Sequence, residues 1–356
     1  MTSAADTPIA GFAARLLAWH ARHGRHDLPW QQPRTPYRVW LSEVMLQQTQ
    51  VATVIPYFTR FTDALPDLPS LARADADQVM ALWAGLGYYS RARNLHRAAQ
   101  LCVDHHGGDL PRDFDALLAL PGIGRSTAGA ILSQAWGDRT AILDGNVKRV
   151  LCRSHGVEGF PGLPAAERRL WALATSLLPP AQLADYTQAV MDLGATVCTR
   201  SAPECATCPL REDCVAFAQS RVSELPAPRP TRSVPEREIV WLALFDDAGR
   251  VRMERRPPHG IWGGLWSLPE FPRAESLMDA LVARLGFAPE PQPLPPVRHV
   301  FTHFALTAHP VRCAIARDCL HLKLADVDSE RWLTRDELAT VGLPQPVRRL
   351  LATLMP

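Results

Sequence analysis

The chain has 356 residues, a formal net charge of +2 and 47% hydrophobic residues. Because one hydrophobic core stops growing at roughly 250 to 300 residues, two domains are expected. No apolar run approaches the roughly 18 residues that cross a bilayer, and no signal-peptide pattern is present at the N-terminus. The sequence therefore argues against a membrane or secreted protein and favours a soluble, cytoplasmic one.

Helical periodicity dominates the first 220 residues. Thr35 and Pro36 are an expected N-cap and first turn, and apolar residues follow them at helical spacing as far as Val51. Further helices are expected around residues 8–22, 70–83, 89–104, 113–119, 125–135, 146–153, 165–177 and 183–194.

Glu43 lies on the helix that begins at Pro36, one turn away from apolar neighbours. Such surroundings raise the pKa of a carboxyl group and keep it able to donate a proton near neutrality. A structural ion pair would explain a buried glutamate equally well.

An aromatic and basic segment follows, with two tyrosines and three arginines and no acidic residue: Tyr88, Tyr89, Arg91, Arg93 and Arg97. This composition is typical of a surface that stacks on bases and neutralises phosphates. An amphipathic helix with two core tyrosines is the alternative.

The segment Leu120–Ala130 reads as a glycine-bearing turn that opens directly into a helix. Gly122 and Gly124 would let backbone N–H groups at the helix start approach a phosphate, which the helix dipole also favours. The pattern is a helix-hairpin-helix signature, although an ordinary turn between packed helices has the same appearance. Downstream, Asp144 and Asn146 precede another helix, and either could simply cap it.

Four cysteines fall within seventeen residues, with gaps of six, two and five: Cys198, Cys205, Cys208 and Cys214. Four thiolates this close in sequence can converge on one centre, as an iron-sulfur cluster or a structural zinc requires. The other four cysteines are scattered, which argues against a disulfide scaffold.

Prolines between residues 225 and 235 suit an extended linker, and the pattern changes after it. Strands are expected at Glu238–Phe245, Val251–Arg255 and around 297–316, with a helix at about 274–285. The second domain is therefore predicted to be small and of mixed α and β structure.

Seven motifs together resemble the adenine DNA glycosylases of the MutY family, within the endonuclease III superfamily. They are Leu28–Trp30, Trp40–Ala52, Gly85–Ser90, Leu120–Leu132, Ile142–Leu151, Met191–Ala195 and the cysteine set. The resemblance implies a mainly α glycosylase domain at residues 1–220, made of a six-helix barrel and a cluster module with DNA across the cleft between them. It also implies a 4Fe-4S cluster rather than zinc, a linker at 221–235 and an α+β Nudix-like domain at 236–356.

Such enzymes hydrolyse the N-glycosidic bond of adenine mispaired with 8-oxoguanine or guanine. Adenine leaves readily only when N7 is protonated, and Glu43 fits the role of the acid. Asp144 fits the carboxylate that stabilises the oxocarbenium-like sugar or adds to it, with Asn146 orienting it. The base must leave the duplex, and the resemblance makes Gln48 and Tyr88 the pair that fills the gap.

The hairpin residues Gly122, Gly124, Arg125 and Ser126 are expected to contact DNA, and Gln188 is given only a supporting role. The bifunctional branch of the superfamily has a lysine where this chain has Ser126. Without it no Schiff base forms there, so base excision without efficient strand cleavage is expected. Lys148 would allow at most a slow crosslink to the abasic product.

The segments Gly260–Glu270 and Arg298–Leu306 resemble the Nudix-like domain that reads 8-oxoguanine in this family. Phe301, Thr302 and His303 are the expected reader, with threonine where the family commonly has serine. A strand whose Phe301 packs inward is the alternative. Pyrophosphate hydrolysis is disfavoured, because 274–286 offers only Glu275 and Asp279 as acids.

The expected partner is double-stranded DNA with an A:8-oxoguanine or A:G mispair, bound by a monomer. Two rival functions stay open. One is an endonuclease III-like pyrimidine glycosylase with lyase activity, and the other is an iron-sulfur protein that binds DNA without chemistry.

Overall fold

The computed structural model describes residues 9–229, 235–257, 260–272, 274–285, 289–301, 303–315 and 329–355. These residues pack as two compact units, Met1–Arg73 with Asn94–Thr231, and Ala74–Arg93 with Arg232–Pro356. The segment 74–93 was assigned to the first predicted domain but packs with the second unit. Within the described ranges, no helix has both the length and the apolar character to span a bilayer.

Twelve helices precede the linker in the described part of the chain. They are α1 (Ile9–His23), α2 (Pro36–Leu46), α3 (Val51–Ala64), α4 (Leu68–Arg73), α5 (Ala76–Trp83), α6 (Ser90–His105), α7 (Phe114–Ala119), α8 (Arg125–Trp136), α9 (Gly145–Ser154), α10 (Pro164–Ser176), α11 (Leu183–Asp192) and α12 (Val215–Ala218). A π-helical turn, Leu193–Val197, continues α11, and the short 3-10 turns Cys205–Thr207 and Arg211–Asp213 lie between the cysteines.

Helix α2 begins as predicted but ends early. The Thr35 side chain accepts a hydrogen bond from the Arg38 N–H, and Pro36 occupies the first turn. The helical spacing predicted as far as Val51 is interrupted because Gln48 has a left-handed backbone with φ +58°. Helix α3 therefore starts afresh at Val51, and the sequence did not predict it as a separate helix. The predicted helix at 70–83 is likewise divided, with Asp75 as the N-cap of α5.

Helix α8 is the central helix of the first unit. Eight consecutive residues, Thr127–Gln134, are buried. A Cβ atom at Gly129 would lie 2.2 Å from the Ala141 carbonyl oxygen, so only glycine lets the 140–142 segment approach α8 this closely. That segment leads directly into Asp144.

The second unit is built on a mixed sheet with the strand order β3-β2-β1-β7-β5, in which β1 and β7 are parallel and the other described pairs are antiparallel. The strands are β1 (Glu236–Asp246), β2 (Val251–Arg255), β3 (Trp266–Ser267), β4 (Glu270–Phe271), β5 (Gln292–Pro293), β6 (Val297–Val300), β7 (Ala305–Ile315) and β8 (Glu330–Leu333). The described residues of this unit also form the helices α13 (Ala274–Leu285), α14 (Arg335–Thr340) and α15 (Gln345–Leu354). The last two were not predicted.

Alternate residues of β1 face two different apolar clusters, as the period of two in a strand requires. Trp241 and Phe245 pack with Val347 of α15, whereas Leu242 and Leu244 pack with Leu281 of α13. Both faces of the sheet are therefore covered.

The segment 74–93 is held to this sheet unit by polar contacts. Asp77 pairs with Arg255 at 3.0 Å, and the buried Tyr89 hydroxyl donates to the Leu343 carbonyl at 3.0 Å. Arg91 is also buried and donates to the carbonyls of Leu86 and Gly87. The predicted aromatic and basic surface is therefore partly internal, because Tyr89 and Arg91 are used within the fold.

Candidate active site and cysteine site

Glu43 is a half-buried carboxyl group on α2. Its Oε1 accepts a hydrogen bond from Nε2 of the buried Gln134 at 3.1 Å. Burial and the nearby charge of Asp144 raise the pKa of Glu43 and the Gln134 hydrogen bond lowers it, so the pKa moves from its usual value of 4.5 to about 7. A carboxyl group with that pKa is protonated in a large fraction of the molecules at neutral pH, as a general acid must be.

Asp144 is the N-cap of α9, and its Oδ1 accepts a hydrogen bond from the Val147 N–H at 2.7 Å. On balance its pKa is raised, chiefly because the carboxyl group is buried, while the N–H groups of Val147 and Asn146 and the charges of Arg149 and Lys148 oppose that rise. The helix cap that the sequence predicted at Asp144 therefore also stabilises the ionised form of its carboxyl group.

The two carboxyl groups lie close enough to affect each other's charge, although they are far apart in sequence. Glu43 faces one neutral donor and a negative neighbour, whereas Asp144 faces a helix N-terminus and two cations. This division favours the proton on Glu43 and the negative charge on Asp144. Paired acids whose surroundings differ in this way divide into proton donor and charge stabiliser.

The extended segment that leads to Asp144 is fixed by α8. The Ser126 hydroxyl accepts a hydrogen bond from the Leu143 N–H at 3.0 Å, and the Thr140 hydroxyl donates to the Gly129 carbonyl at 2.8 Å. Ser126 therefore anchors the backbone one residue before Asp144. A lysine at that position could not accept this bond.

The predicted hairpin lies at the start of α8. Gly122 has φ +80°, and a Cβ atom there would lie 2.8 Å from the Asn94 Cβ, so the turn requires glycine. Gly124 is the exposed N-cap and provides no side chain to the first turn of α8. Arg125 is exposed, with its guanidinium 3.9 Å from the centre of the Trp171 ring. The arrangement has the free N–H groups and the cation that an anion site requires.

Gln48 and Tyr88 are the two residues predicted to enter DNA. Both are exposed, and both have left-handed backbones, with φ +58° and +48°. Such conformations cost a non-glycine residue roughly 1 to 3 kcal/mol and persist where the surroundings enforce them, frequently at functional sites. The strain supports a special role for each residue.

Asn146 lies beside Asp144, but its side chain points to a different partner. Its Oδ1 accepts a hydrogen bond from Arg149 at 2.9 Å, and only its backbone N–H supports the charge of Asp144. Arg149 also donates to the carbonyls of Gly194 and Cys198 at 2.6 and 2.7 Å. Asn146 therefore contacts Asp144 through its backbone, and its predicted role of orienting that carboxylate stays a prediction.

The four cysteines of the predicted cluster line one cavity of about 20 Å³, together with Arg153 and Arg211. Arg153 lies on α9 and donates to the Cys198 sulfur at 3.4 Å and to the Thr199 carbonyl at 2.7 Å. Burial raises the pKa of the Cys214 thiol, and the neighbouring Cys198 and Cys205 raise it further, so the thiols are mutual neighbours.

Among the residues that the structure describes, no group of three or more His, Cys, Asp or Glu side chains has the spacing to hold a metal ion. Thiolates are ligands of structural zinc, at about 2.3 Å, and of iron-sulfur clusters, so the four cysteines that share this cavity have the donor chemistry of either centre.

Gln188 is buried on α11, where its Nε2 donates to Oδ1 of the fully buried Asp192 at 2.7 Å. Arg25 donates to the same carboxylate from its backbone and its guanidinium. Gln188 thus supports a buried ion pair, which agrees with a supporting role. Its predicted contact with DNA stays a prediction.

The predicted lesion reader lies where β6 meets β7. Phe301 is half-buried, stacked on Phe304 with a centroid distance of 4.6 Å, and Trp262 lies 5.2 Å from it on another side. His303 is exposed, and Thr302 lies outside the described residues. Phe301 thus packs in part, as the alternative interpretation expected, but it also lines an open cavity.

That cavity has a volume of about 540 Å³, and its lining includes six aromatic or imidazole rings: Tyr88, Tyr89, Trp262, His299, Phe301 and His303. Trp262 has φ +53°, a further strained non-glycine residue. The sequence analysis missed Trp262 and His299 as members of this group, although the Gly260–Glu270 motif contains the tryptophan.

Gln134, Arg149 and Arg153 were also missed. Gln134 contacts Glu43 across 91 residues of sequence, and no local pattern marks such a pair. The two arginines lie on the helix that follows Asp144, and only their position on a basic helix hinted at a function.

Comparisons with known proteins agree with this geometry. A family model described as HhH-GPD superfamily base excision DNA repair protein matches residues 41–175, and one described as NUDIX domain matches 240–353. The chain is 34% identical over 340 residues to the adenine DNA glycosylase of Buchnera aphidicola subsp. Acyrthosiphon pisum, with 96% of each chain covered.

The adenine DNA glycosylase of Homo sapiens is 34% identical over 406 residues, covering 96% of this chain and 73% of the human protein. Among solved structures, a thermostable thymine-DNA glycosylase is 26% identical with a TM-score of 0.55, covering 61% of this chain and all of that one. The predicted fold class, a helical helix-hairpin-helix glycosylase followed by a Nudix-like domain, is confirmed.

Proposed function

Because the chain belongs to the adenine DNA glycosylase family, we propose that it removes adenine from A:8-oxoguanine and A:G mispairs by hydrolysing the N-glycosidic bond. The observation that supports this proposal is that Glu43 lies within electrostatic range of Asp144, in surroundings that raise the pKa of Glu43, while a helix N-terminus and two cations oppose the effect of burial on Asp144.

In this mechanism the adenine nucleotide leaves the helix, and Gln48 and Tyr88 occupy the space that it vacates. Glu43 gives its proton to N7 of adenine, so the base departs without a full negative charge. Positive charge then develops on the deoxyribose, and the Asp144 carboxylate stabilises it or adds to C1′. Water finally takes the place of the base, and Glu43 is able to accept its proton.

The activity is expected to stop at the abasic site. The position from which the bifunctional relatives of this superfamily attack the sugar is occupied by Ser126, whose hydroxyl accepts a hydrogen bond from the Leu143 N–H. A hydroxyl cannot form a Schiff base, so strand cleavage by this position is excluded chemically.

The four cysteine thiolates would hold a 4Fe-4S cluster, whose chemistry here is to crosslink the 198–214 segment. Arg149 and Arg153 tie the backbone around Cys198 to α9, which has Asp144 at its N-terminus. The proposed role of the cluster is therefore to support the fold and the DNA surface, with no part in the chemical step.

Recognition of 8-oxoguanine is proposed for the aromatic cavity of the second unit. Rings such as Phe301 and Trp262 provide faces on which a base stacks. His303 is exposed at the same cavity and is able to donate a hydrogen bond to the damaged base.

The test is single-turnover excision on duplexes that differ only in the base opposite adenine, analysed with and without alkali. The proposal expects release of adenine, faster opposite 8-oxoguanine, and strand breaks only after alkali. Release of a pyrimidine, or strong nicking before alkali, would instead support an endonuclease III-like enzyme.

A further inference from the structure

An ion pair lies beside the candidate catalytic aspartate. Lys148 follows Asp144 by one turn on α9, and its Nζ donates to Oε1 of Glu167, in the first turn of α10, at 2.7 Å. The Lys148 side chain is 23% exposed and that of Glu167 is 42% exposed. Although burial raises the pKa of Asp144, the charge of Lys148 lowers it, so the amine lies within electrostatic range of that carboxyl group.

A primary amine in this place faces a reactive product, if the proposed function is correct. After adenine has left, the open form of the sugar has an aldehyde at C1′. A neutral amine adds its lone pair to that carbon and a C–N bond forms. The carbonyl oxygen takes one proton from the nitrogen and one from solvent and leaves as water, which gives an iminium ion. Loss of the C2′ proton would then break the C3′–O bond and cut the strand.

The sequence has only two lysines, Lys148 and Lys323, and Lys148 is the one in the glycosylase half. This chain has Ser126 where the bifunctional relatives have their reactive lysine, but the amine of Lys148 lies close to Asp144. A monofunctional enzyme therefore needs a means of keeping Lys148 unreactive.

We propose that Glu167 keeps Lys148 unreactive. It acts as a positioning residue that restrains the amine and so suppresses covalent capture of the abasic product. The hydrogen bond to Glu167 is made by the ammonium form, whereas attack on the aldehyde requires the free lone pair. The same bond directs the amine toward α10. Glu167 also lines a groove with Arg125 and Trp171, next to the hairpin, so the restraint acts at the surface proposed to face DNA.

The test is borohydride trapping on a duplex with a preformed abasic site opposite 8-oxoguanine, with enzyme in excess. Glu167→Gln removes the charge and keeps the size of the side chain. Because a partly exposed ion pair is worth about 1 kcal/mol at most, trapping is expected to become up to about fivefold faster. In the double variant Glu167→Gln with Lys148→Arg, the increase should vanish, since a guanidinium forms no iminium ion under these conditions.

A matched control is Glu158→Gln, the same substitution in another exposed pair, which joins Glu158 to Arg221 at 3.0 Å and contains no lysine. Its trapping rate should equal that of the unaltered protein. The proposal is overturned if Glu167→Gln traps no faster than the control, or if the faster trapping persists after Lys148→Arg.

Binding affinity for the abasic duplex, measured in parallel, separates capture from a general gain in DNA binding on loss of a negative charge. Preformed abasic DNA also makes the assay independent of base excision. If the protein releases no adenine but Glu167→Gln still accelerates trapping through Lys148, the proposed function fails and the restraint by Glu167 stands.

Discussion

The two units of the chain hold their candidate functional side chains by different means. In the first, Glu43 and Asp144 are fixed by hydrogen bonds of 3.1 and 2.7 Å to donors on neighbouring elements. In the second, Phe301 is held by ring contacts with Phe304 and Trp262. Hydrogen bonds position single atoms and tune their charge, whereas ring contacts build a surface. The first arrangement suits proton transfer, and the second suits recognition of a flat base.

The largest effect is expected at the hydrogen-bonded site. Glu43→Gln keeps the size of the side chain and its contact with Gln134 but removes the proton that N7 requires. Single-turnover excision should fall about 100- to 10,000-fold, the usual contribution of a general acid. DNA affinity should stay within about threefold, because the surfaces that contact phosphates are unchanged.

Asp144→Asn tests the other half of the pair. Asparagine caps a helix as well as aspartate does, so α9 should keep its stability while excision is lost. Unchanged product formation by either variant would contradict the assignment and favour a protein that binds DNA without chemistry.

Loss of a cluster ligand should affect the first unit before the second. For Cys205→Ser we expect loss of the iron-sulfur absorbance, a lower melting temperature and weaker DNA binding, because the thiolate crosslink of the 198–214 segment is broken. Cys102→Ala, at a buried cysteine outside that cavity, is the matched control and should retain the absorbance. A stable, active, tightly binding protein without iron would contradict a structural role for the cluster.

Local patterns were sufficient for parts of the first unit. The glycines of the hairpin, the cap at Asp144 and the cysteine spacing each depend on a few neighbouring residues, and the structure has them where the sequence predicted. The end of α2 was not predictable in this way. It depends on the left-handed backbone of Gln48, which tertiary contacts must enforce.

Contacts between residues that are far apart in the sequence could not be predicted from it. The contact of Gln134 with Glu43 and the bonds from Arg153 to the cysteine segment join residues with no shared local pattern. The packing of 74–93 with the second unit has the same cause, since the Tyr89 bond to Leu343 spans 254 residues. A single sequence contains the residues of such pairs but not the pairing.

A smaller and more selective effect is expected in the second unit. Phe301→Ala removes one stacking face, and stacking on an aromatic side chain is worth about 1 to 3 kcal/mol per base. The rate advantage of A:8-oxoguanine over A:G should therefore shrink by about tenfold, while excision from A:G changes little. Val282→Ala, at an exposed residue of α13 that does not line this cavity, is the control. Equal losses on both substrates would place Phe301 in general DNA binding instead of lesion recognition.

A further effect concerns stability and its dependence on pH. The pKa of Glu43 is raised from 4.5 to about 7, so the folded protein binds this proton more tightly than the unfolded chain does. The free energy of unfolding is therefore expected to fall, by roughly 3 kcal/mol, as the pH rises from 4.5 to about 7. Glu43→Gln should remove that loss and make the protein more stable above neutrality but not at acidic pH. Urea unfolding of the variant and of the unaltered protein, at acidic pH and above neutrality, measures this difference in stability. An equal effect of Glu43→Gln at the two pH values would contradict a protonated, largely buried Glu43.

The central claim, that Glu43 supplies the proton, is tested most directly by the pH dependence of single-turnover adenine excision. Because the acid form of Glu43 is the active one and its pKa is about 7, the rate should be level at acidic pH, begin to fall near neutrality and approach a tenfold fall per pH unit in the alkaline range. A rate that stays constant well into the alkaline range, with DNA binding saturated throughout, would contradict the account.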